Sequence, residues 1–241
     1  MNVLIRRYLP NFYFHSRENY FSCDMNRYIN CTSMWGNNPL FRKVESENIK
    51  HGVRSEFQIA SNLVVKRDEN SNIVTDIIYA VFFPYNGNIG IVNKGEHWVD
   101  IEHVTLRFKH TPRRLIELNG VEPNFIYFSH HSNGTWKRYD DTIINDNGKI
   151  NVYIAKHSHA FYWKPKTFYR YCGFANDKCD TGRKVSNDHI NLAVYDIKAI
   201  LPLFKYMQFH QSETNNFKDK QWLYNGETDP YNFDKNKTCF N

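Results

Sequence analysis

Residues 73–84, Ile-Val-Thr-Asp-Ile-Ile-Tyr-Ala-Val-Phe-Phe-Pro, decide the fold. They are rich in β-branched and aromatic side chains, which fit a pleated, buried surface. A polar break, Asp68-Glu69-Asn70-Ser71-Asn72, separates them from a second run of the same texture, Gln58-Ile59-Ala60-Ser61-Asn62-Leu63-Val64-Val65-Lys66. Two such runs joined by turn residues predict a hairpin. Working outward, His103–Phe108, Arg114–Leu118, Asn124–His131, Lys149–Tyr162 and Ile190–Ile197 continue the series, with turn chemistry at Asn119-Gly120 and Asp146-Asn147-Gly148. Many short strands at close intervals predict an all-β fold, a β-sandwich with long loops and one or two short helices. The one longer helical pattern, Asp196–Phe209, is interrupted by Pro202. Residues 1–54 lack sustained periodicity and carry turn residues around Trp35-Gly36-Asn37-Asn38-Pro39. They are expected to form an irregular arm packed on one domain of residues 55–241.

A length of 241 residues suits a single large domain. Aromatic side chains make up 16% of the chain, which is the composition of a packed core and excludes a disordered polymer. No apolar run approaches the roughly 18 residues of a membrane-spanning helix. Only a few apolar residues precede Arg6-Arg7, and no small-residue cleavage site follows, so no secretory signal is read and a cytoplasmic location, peripheral to membranes, is expected. The net charge of +6 is spread over pairs such as Lys66-Arg67 and Arg113-Arg114, where a phosphate-tracking surface gathers its basic residues with aromatics between them. No nucleic-acid partner is therefore expected. Five cysteines, an odd number with no Cys-x-x-Cys pair, indicate neither a zinc ribbon nor a closed disulfide framework, though Cys172 and Cys179 are spaced to pair across a short loop. The sequons at Asn30, Asn133 and Asn236 are the chance product of an Asn-rich chain.

The residues that carry chemistry begin with His97, Asp100 and Glu102. On a strand, Asp100, Glu102 and Val104 share one face. Two like charges so placed repel unless they are solvated, protonated or bridged by a cation. The spacing alone also fits a solvated sheet face. His157 and His159, two apart, share a face if Lys149–Tyr162 is one strand, and can then hold a single metal or lie buried on backbone carbonyls. Of the adjacent pair His130-His131, at most one can join a common site. Asp177 and Asp180 lie in a Gly-bounded loop, Gly173–Gly182, which suits either a cation or simple turn formation. There is no Gly-x-Ser-x-Gly elbow, phosphate-binding Gly-rich loop or His-Glu-x-x-His helix, so the commonest hydrolase, nucleotide-binding and zinc-protease classes have no support.

Several blocks taken in order, Ile77–Gly87, Gly95–Phe108, Phe125–Trp136, Lys149–Gly182 and Gln221–Gly226, resemble the vacuolar protein sorting-associated protein 62 family over roughly residues 55–227. Among the shared motifs are a Tyr-Asn-Gly, a Ser-x-His with a nearby Trp, and a Tyr-x-Ala-x-x-Ser-His-Ala block. Ile101 stands where the family carries Trp. More distantly, the chain is similar to the necrosis- and ethylene-inducing peptide-like proteins, whose His-x-x-Asp-x-Glu segment binds a divalent cation; His97, Asp100 and Glu102 match that spacing, and Asn86 replaces the family's Asp. The resemblance implies the β-sandwich and an acidic cation pocket.

The expected function is a non-enzymatic binding module of the vacuolar protein sorting 62-like type, for cation-dependent binding of membrane or glycan headgroups or for a role in protein trafficking. Its expected metal set is Asn86, His97, Asp100, Glu102, His157 and His159, with His130 and Asp177 binding the ligand. Calcium or magnesium suits the oxygen-rich set, and binding by both histidines would favour zinc. The expected partner is a membrane lipid or glycan headgroup, or a trafficking protein. The competing readings are a metal-dependent hydrolase, with Asp100 or Glu102 as general base on cation-bound water, and a purely structural acidic cluster.

Overall fold

The computed structural model describes residues 3–35, 38–44, 47–88, 96–131, 133–141, 148–170, 173, 175–185, 191–196 and 208–209. In chain order these carry α1 (Val3–Arg7), β1 (Asn11–Phe14), α2 (Met25–Asn30), β2 (Thr32–Trp35), β3 (Asn38–Val44), β4 (Glu56–Arg67), β5 (Ile73–Asn86) and β6 (His97–Phe108). There follow α3 (Pro112–Leu118), β7 (Phe125–His130), β8 (Asn133–Arg138), β9 (Asn151–Ile154), β10 (Phe161–Tyr162), β11 (Thr167–Phe168), β12 (Asp177–Lys178), β13 (Arg183–Lys184), β14 (Asn191–Asp196) and β15 (Gln208–Phe209). The larger sheet has the order β14-β4-β5-β6-β7-β8, and a second sheet the order β10-β9-β1-β13. This is the all-β sandwich with short helices that the strand pattern predicts.

The predicted hairpin is β4–β5, closing Arg67 onto Ile73 around the polar break. Asp68 accepts the backbone N–H groups of Asn70 (3.0 Å) and Asn72 (2.8 Å), which is the local chemistry of an Asx turn. Alternate residues Ile77, Tyr79, Val81 and Phe83 of β5 meet Val104, Leu106 and Phe108 of β6 and, from the second sheet, Phe12, Phe14, Val152 and Ile154. The opposite face, through Ala80, Phe82 and Ile101, is covered by Cys23, Met25, Tyr28 and Ile49. Cover on both faces explains why β5 reads as an unbroken apolar run without alternation. On that same outer face Arg107 and Asp76 form a two-pronged ion pair, with Nε–Oδ1 and Nη2–Oδ2 both 2.7 Å, and the guanidinium lies 4.6 Å from the centre of the Trp136 ring.

Three local expectations change. Arg114–Leu118, read as a strand, belongs to α3: Thr111 caps it by accepting the Arg114 N–H (3.3 Å), Pro112 opens the first turn, and Asn119 ends it with φ 42°. Lys149–Tyr162 is not one strand, because the chain leaves β9 at Ala155 and turns through His157 (φ 66°) and His159 (φ 55°) before β10. Phe12 and Phe14 make β1 an inner strand, parallel to β9 and antiparallel to β13, so the N-terminal residues supply a structural strand as well as loops. Most of the predicted helix at Asp196–Phe209, and Cys172 of the suggested Cys172–Cys179 pair, lie outside the described residues. Among the described residues, no helix is long and apolar enough to cross a membrane.

Candidate functional site

The site forms where β5 ends and β6 begins. Antiparallel pairing sets Asn86 opposite His97, Phe83 opposite Asp100 and Val81 opposite Glu102. Asp100 and Glu102 share the face of Val104, as their spacing predicts, and that face looks toward the second sheet. There the β9–β10 turn, residues 155–160, closes over them.

Glu102 is 2% exposed and committed to protein donors: Ser129 Oγ donates to one oxygen and the His131 N–H to the other (3.0 Å). Ser129 Oγ in turn accepts the His103 N–H (2.6 Å). Asn86 is also buried, and its amide donates to the Gly87 carbonyl (3.3 Å). Asp100 is the more accessible carboxylate, with its Oδ2 3.7 Å from His159 Nδ1.

His159 is fully buried and stacks flat on Phe83, with ring centroids 3.9 Å apart and planes 3° apart. Its Nε2 lies 2.9 Å from the Tyr20 carbonyl. A carbonyl only accepts, so Nε2 carries the proton and a neutral ring presents a lone pair at Nδ1. That Nδ1 is buried without a hydrogen-bond partner and faces the Asp100 carboxylate. His157 follows the same logic: Nδ1 donates to the Asn88 carbonyl (2.9 Å), and Nε2 is buried without a partner. His97 Nδ1 donates to the Val99 carbonyl (3.1 Å). Three histidines are thus oriented through one ring nitrogen by backbone carbonyls, the device that fixes the tautomer of metal-binding imidazoles.

The turn is pinned from below by Glu18, whose Oε2 accepts the His157 N–H (2.7 Å) while Oε1 accepts those of Asn19 and Tyr20 (both 2.9 Å). Tyr20 packs between His157, Tyr85 and His51, with centroids 5.2, 5.1 and 5.5 Å away. A Cβ on Gly87 would stand 2.3 Å from the Tyr20 ring. Gly87→Ala is therefore expected to push Tyr20 off His157 and to cost about 1–3 kcal/mol, as overpacking does, measurable as a lower urea midpoint.

Asp177 lies at the far side of the same turn, completely buried. Ser158 Oγ donates to Oδ1 (2.7 Å), and Oδ2 faces Tyr162 OH (2.6 Å), His131 Nε2 (2.8 Å) and Arg170 Nη1 (3.5 Å). Burial pushes this carboxyl up, but the His131 bond and charge, with the Tyr162 and Ser158 hydroxyls, outweigh it and hold the group below its ordinary range. His131 is the histidine beside Asp177, while His130 stacks on Tyr162 and bonds Thr135 Oγ1 (2.8 Å). Asp180 serves the turn, accepting the Ser16 and Gly182 N–H groups (both 2.9 Å). Ser129, Ser158, Glu18 and Tyr20 are site residues that spacing does not reveal. The Ser-x-His motif does contain Ser129 and His131, and the Ser-His-Ala block contains Ser158 and His159.

Among the described residues, no three His, Cys, Asp or Glu side chains close on a point that would hold a metal. Within this set Asp100 Oδ2 and His159 Nδ1 face one another, 3.7 Å apart.

No curated protein matches the chain. Among solved structures it is similar to NLPPya in complex with mannosamine, at 12% identity and a TM-score of 0.46, covering 91% of this chain and 88% of that one. The family model of vacuolar protein sorting-associated protein 62 matches residues 29–188, more than half of the sequence, and the chain belongs to that family.

Proposed function

We propose that this protein is a non-enzymatic binding module in which Asp100 and His159 hold a divalent cation and present it to an anionic or polyhydroxylated headgroup of a lipid or glycan. The observation that carries the reading is the buried His159 Nδ1, without a hydrogen-bond partner, facing the Asp100 carboxylate. With a neutral imidazole these are two acceptors 3.7 Å apart, and a proton or a cation between them relieves their repulsion. Glu102 and Asn86, tied to protein groups, shape the pocket wall; His97 and His157 flank it with oriented imidazoles. A site with so few protein donors suits a cation that keeps much of its water or takes ligand oxygens, as magnesium does, with calcium the close alternative. The family's name adds a trafficking setting, in which the headgroup belongs to a membrane or a trafficking partner.

The test is the melting temperature of wild type and Asp100→Asn with calcium, magnesium, manganese or zinc, each against chelator. At about 100 Kd of metal the folded state gains about 2.7 kcal/mol, a rise of about 5–10 °C for a chain of this size. A rise in wild type that Asp100→Asn loses supports the cation. No rise with any metal overturns it and leaves a proton between Asp100 and His159.

A further inference from the structure

Among the described residues, five of the six large apolar side chains exposed to solvent are Val3 (60%), Val65 (49%), Ile73 (41%), Ile116 (49%) and Leu118 (40%). They come from α1, the end of β4, the start of β5 and α3, and the fold gathers these at one end. β4 and β5 meet in their hairpin there, β6 arrives with Phe108 opposite Thr75, and α3 follows directly. Thr75 Oγ1 donates to the His110 carbonyl (2.6 Å), tying the hairpin to the approach to α3. α1 packs against both α3 and β4, and Arg7 Nη1 donates to the Leu115 carbonyl (3.0 Å). Val3 is thus carried by the helix that packs on both elements. α3 spends its buried face on Leu115, which joins the core, and turns Ile116 and Leu118 outward.

The charge around these side chains is basic. Arg6, Arg67, Lys109, Arg113 and Arg114 are all exposed, Arg113 with 90% of its side chain. Of the nearby acids, Asp68 turns its carboxylate onto the N–H groups of its own hairpin, Glu117 pairs with Arg113 and Arg114, and Glu69 and Glu122 are exposed, which leaves the five cations in a slight excess. Solvent-exposed pairs of that kind hold little energy, so the arginines exchange readily to a stronger anion. Isolated apolar side chains on a surface need no explanation, but a group of them rimmed by cations marks a contact surface. Branched apolar side chains that enter the headgroup boundary, flanked by arginines that meet lipid phosphates, are the chemistry of peripheral membrane attachment.

We propose that this α1/α3 end is a docking surface for an anionic lipid bilayer. It is separate from the Asp100–His159 site: Thr75 and Phe83 are eight steps apart on β5, about 26 Å at ~3.3 Å per residue. Docking at this end does not depend on any cation at Asp100.

The experiment is co-sedimentation of the full chain with vesicles of phosphatidylcholine alone or with added phosphatidylserine, in chelator. Wild type is expected to partition on the order of tenfold more onto the anionic vesicles, with the excess lost at high salt. Ile116→Ser/Leu118→Ser and Arg113→Glu/Arg114→Glu are each expected to lose most of that excess while keeping the wild-type melting temperature, since all four side chains are exposed. Asp100→Asn is expected to bind vesicles as wild type does. Failure to bind, equal binding to neutral vesicles, or anionic binding that both double variants retain would each overturn the proposal.

Discussion

Asp177→Ala is expected to cost about 3–5 kcal/mol of stability, enough to threaten folding, because it strips a buried anion from Arg170 and His131 and strands two hydroxyls. The carboxylate holds Ser158 in the β9–β10 turn, Tyr162 in β10, His131 at the end of β7 and Arg170 beyond β11. Asp177→Asn keeps the shape and part of the hydrogen bonding, so a smaller loss is expected. The pH dependence has a definite sign. The folded carboxyl titrates below its unfolded counterpart, so its contribution is complete above the unfolded value of about 3.9 and is lost as pH falls through the folded one. Urea midpoints measured downward from neutral pH should therefore fall more steeply in wild type than in Asp177→Asn below about pH 4. Equal slopes would show that the network contributes nothing through its charge.

Asp76→Leu is expected to be as damaging, again about 3–5 kcal/mol, because it leaves the Arg107 guanidinium buried without its carboxylate. Both side chains are almost completely enclosed, at 0% and 2% exposure for the residues. Arg107→Met alone should cost a similar amount. Asp76→Leu/Arg107→Met is expected to recover most of the loss, since a desolvated ion pair and an apolar pair of similar volume differ little in net energy. Chemical denaturation of the four proteins of the cycle gives the coupling directly. Lys66, 3.8 Å from Asp76, loses that partner in both Asp76 variants, and both Arg107 variants also lose the guanidinium beside the Trp136 ring.

Much of this architecture was legible in the sequence, and the exceptions have physical causes. The β4–β5 hairpin is written in an apolar run, a polar break and an apolar run, because its register is set locally by Asp68 and its neighbours. α3 was written too, in Thr111-Pro112 before it and Asn119-Gly120 after it, but its Leu-Ile-Glu-Leu centre resembles a strand when those flanking residues are ignored. β1 was not legible: four residues are too few to show a period, and what makes them a strand is pairing with residues far along the chain. For the site, the Asp-x-Glu spacing placed Asp100 and Glu102 on one face, and the packing turns that face inward. The spacing gave no sign that Glu102 is taken by Ser129 and His131, since those contacts depend on how β7 ends beside β6. The paired histidines 157 and 159 misled because alternation assumes an extended backbone, and both adopt left-handed conformations in a turn.

The parallel seating of β1 against β9 also bears on how the protein is made. Asn11 and Asn151, joined side chain to side chain, are 140 positions apart, so this part of the second sheet closes only over a very long loop. Contacts of such separation are slow to form, and during synthesis at about 5–20 residues per second the partner strand emerges many seconds after β1. Throughout that interval Phe12 and Phe14 can meet Phe57 and Phe83 of the larger sheet, but the β1 backbone lacks the parallel partner that pairs with it. A nascent chain of this protein thus carries an open strand edge at Asn11–Phe14 until β9 arrives.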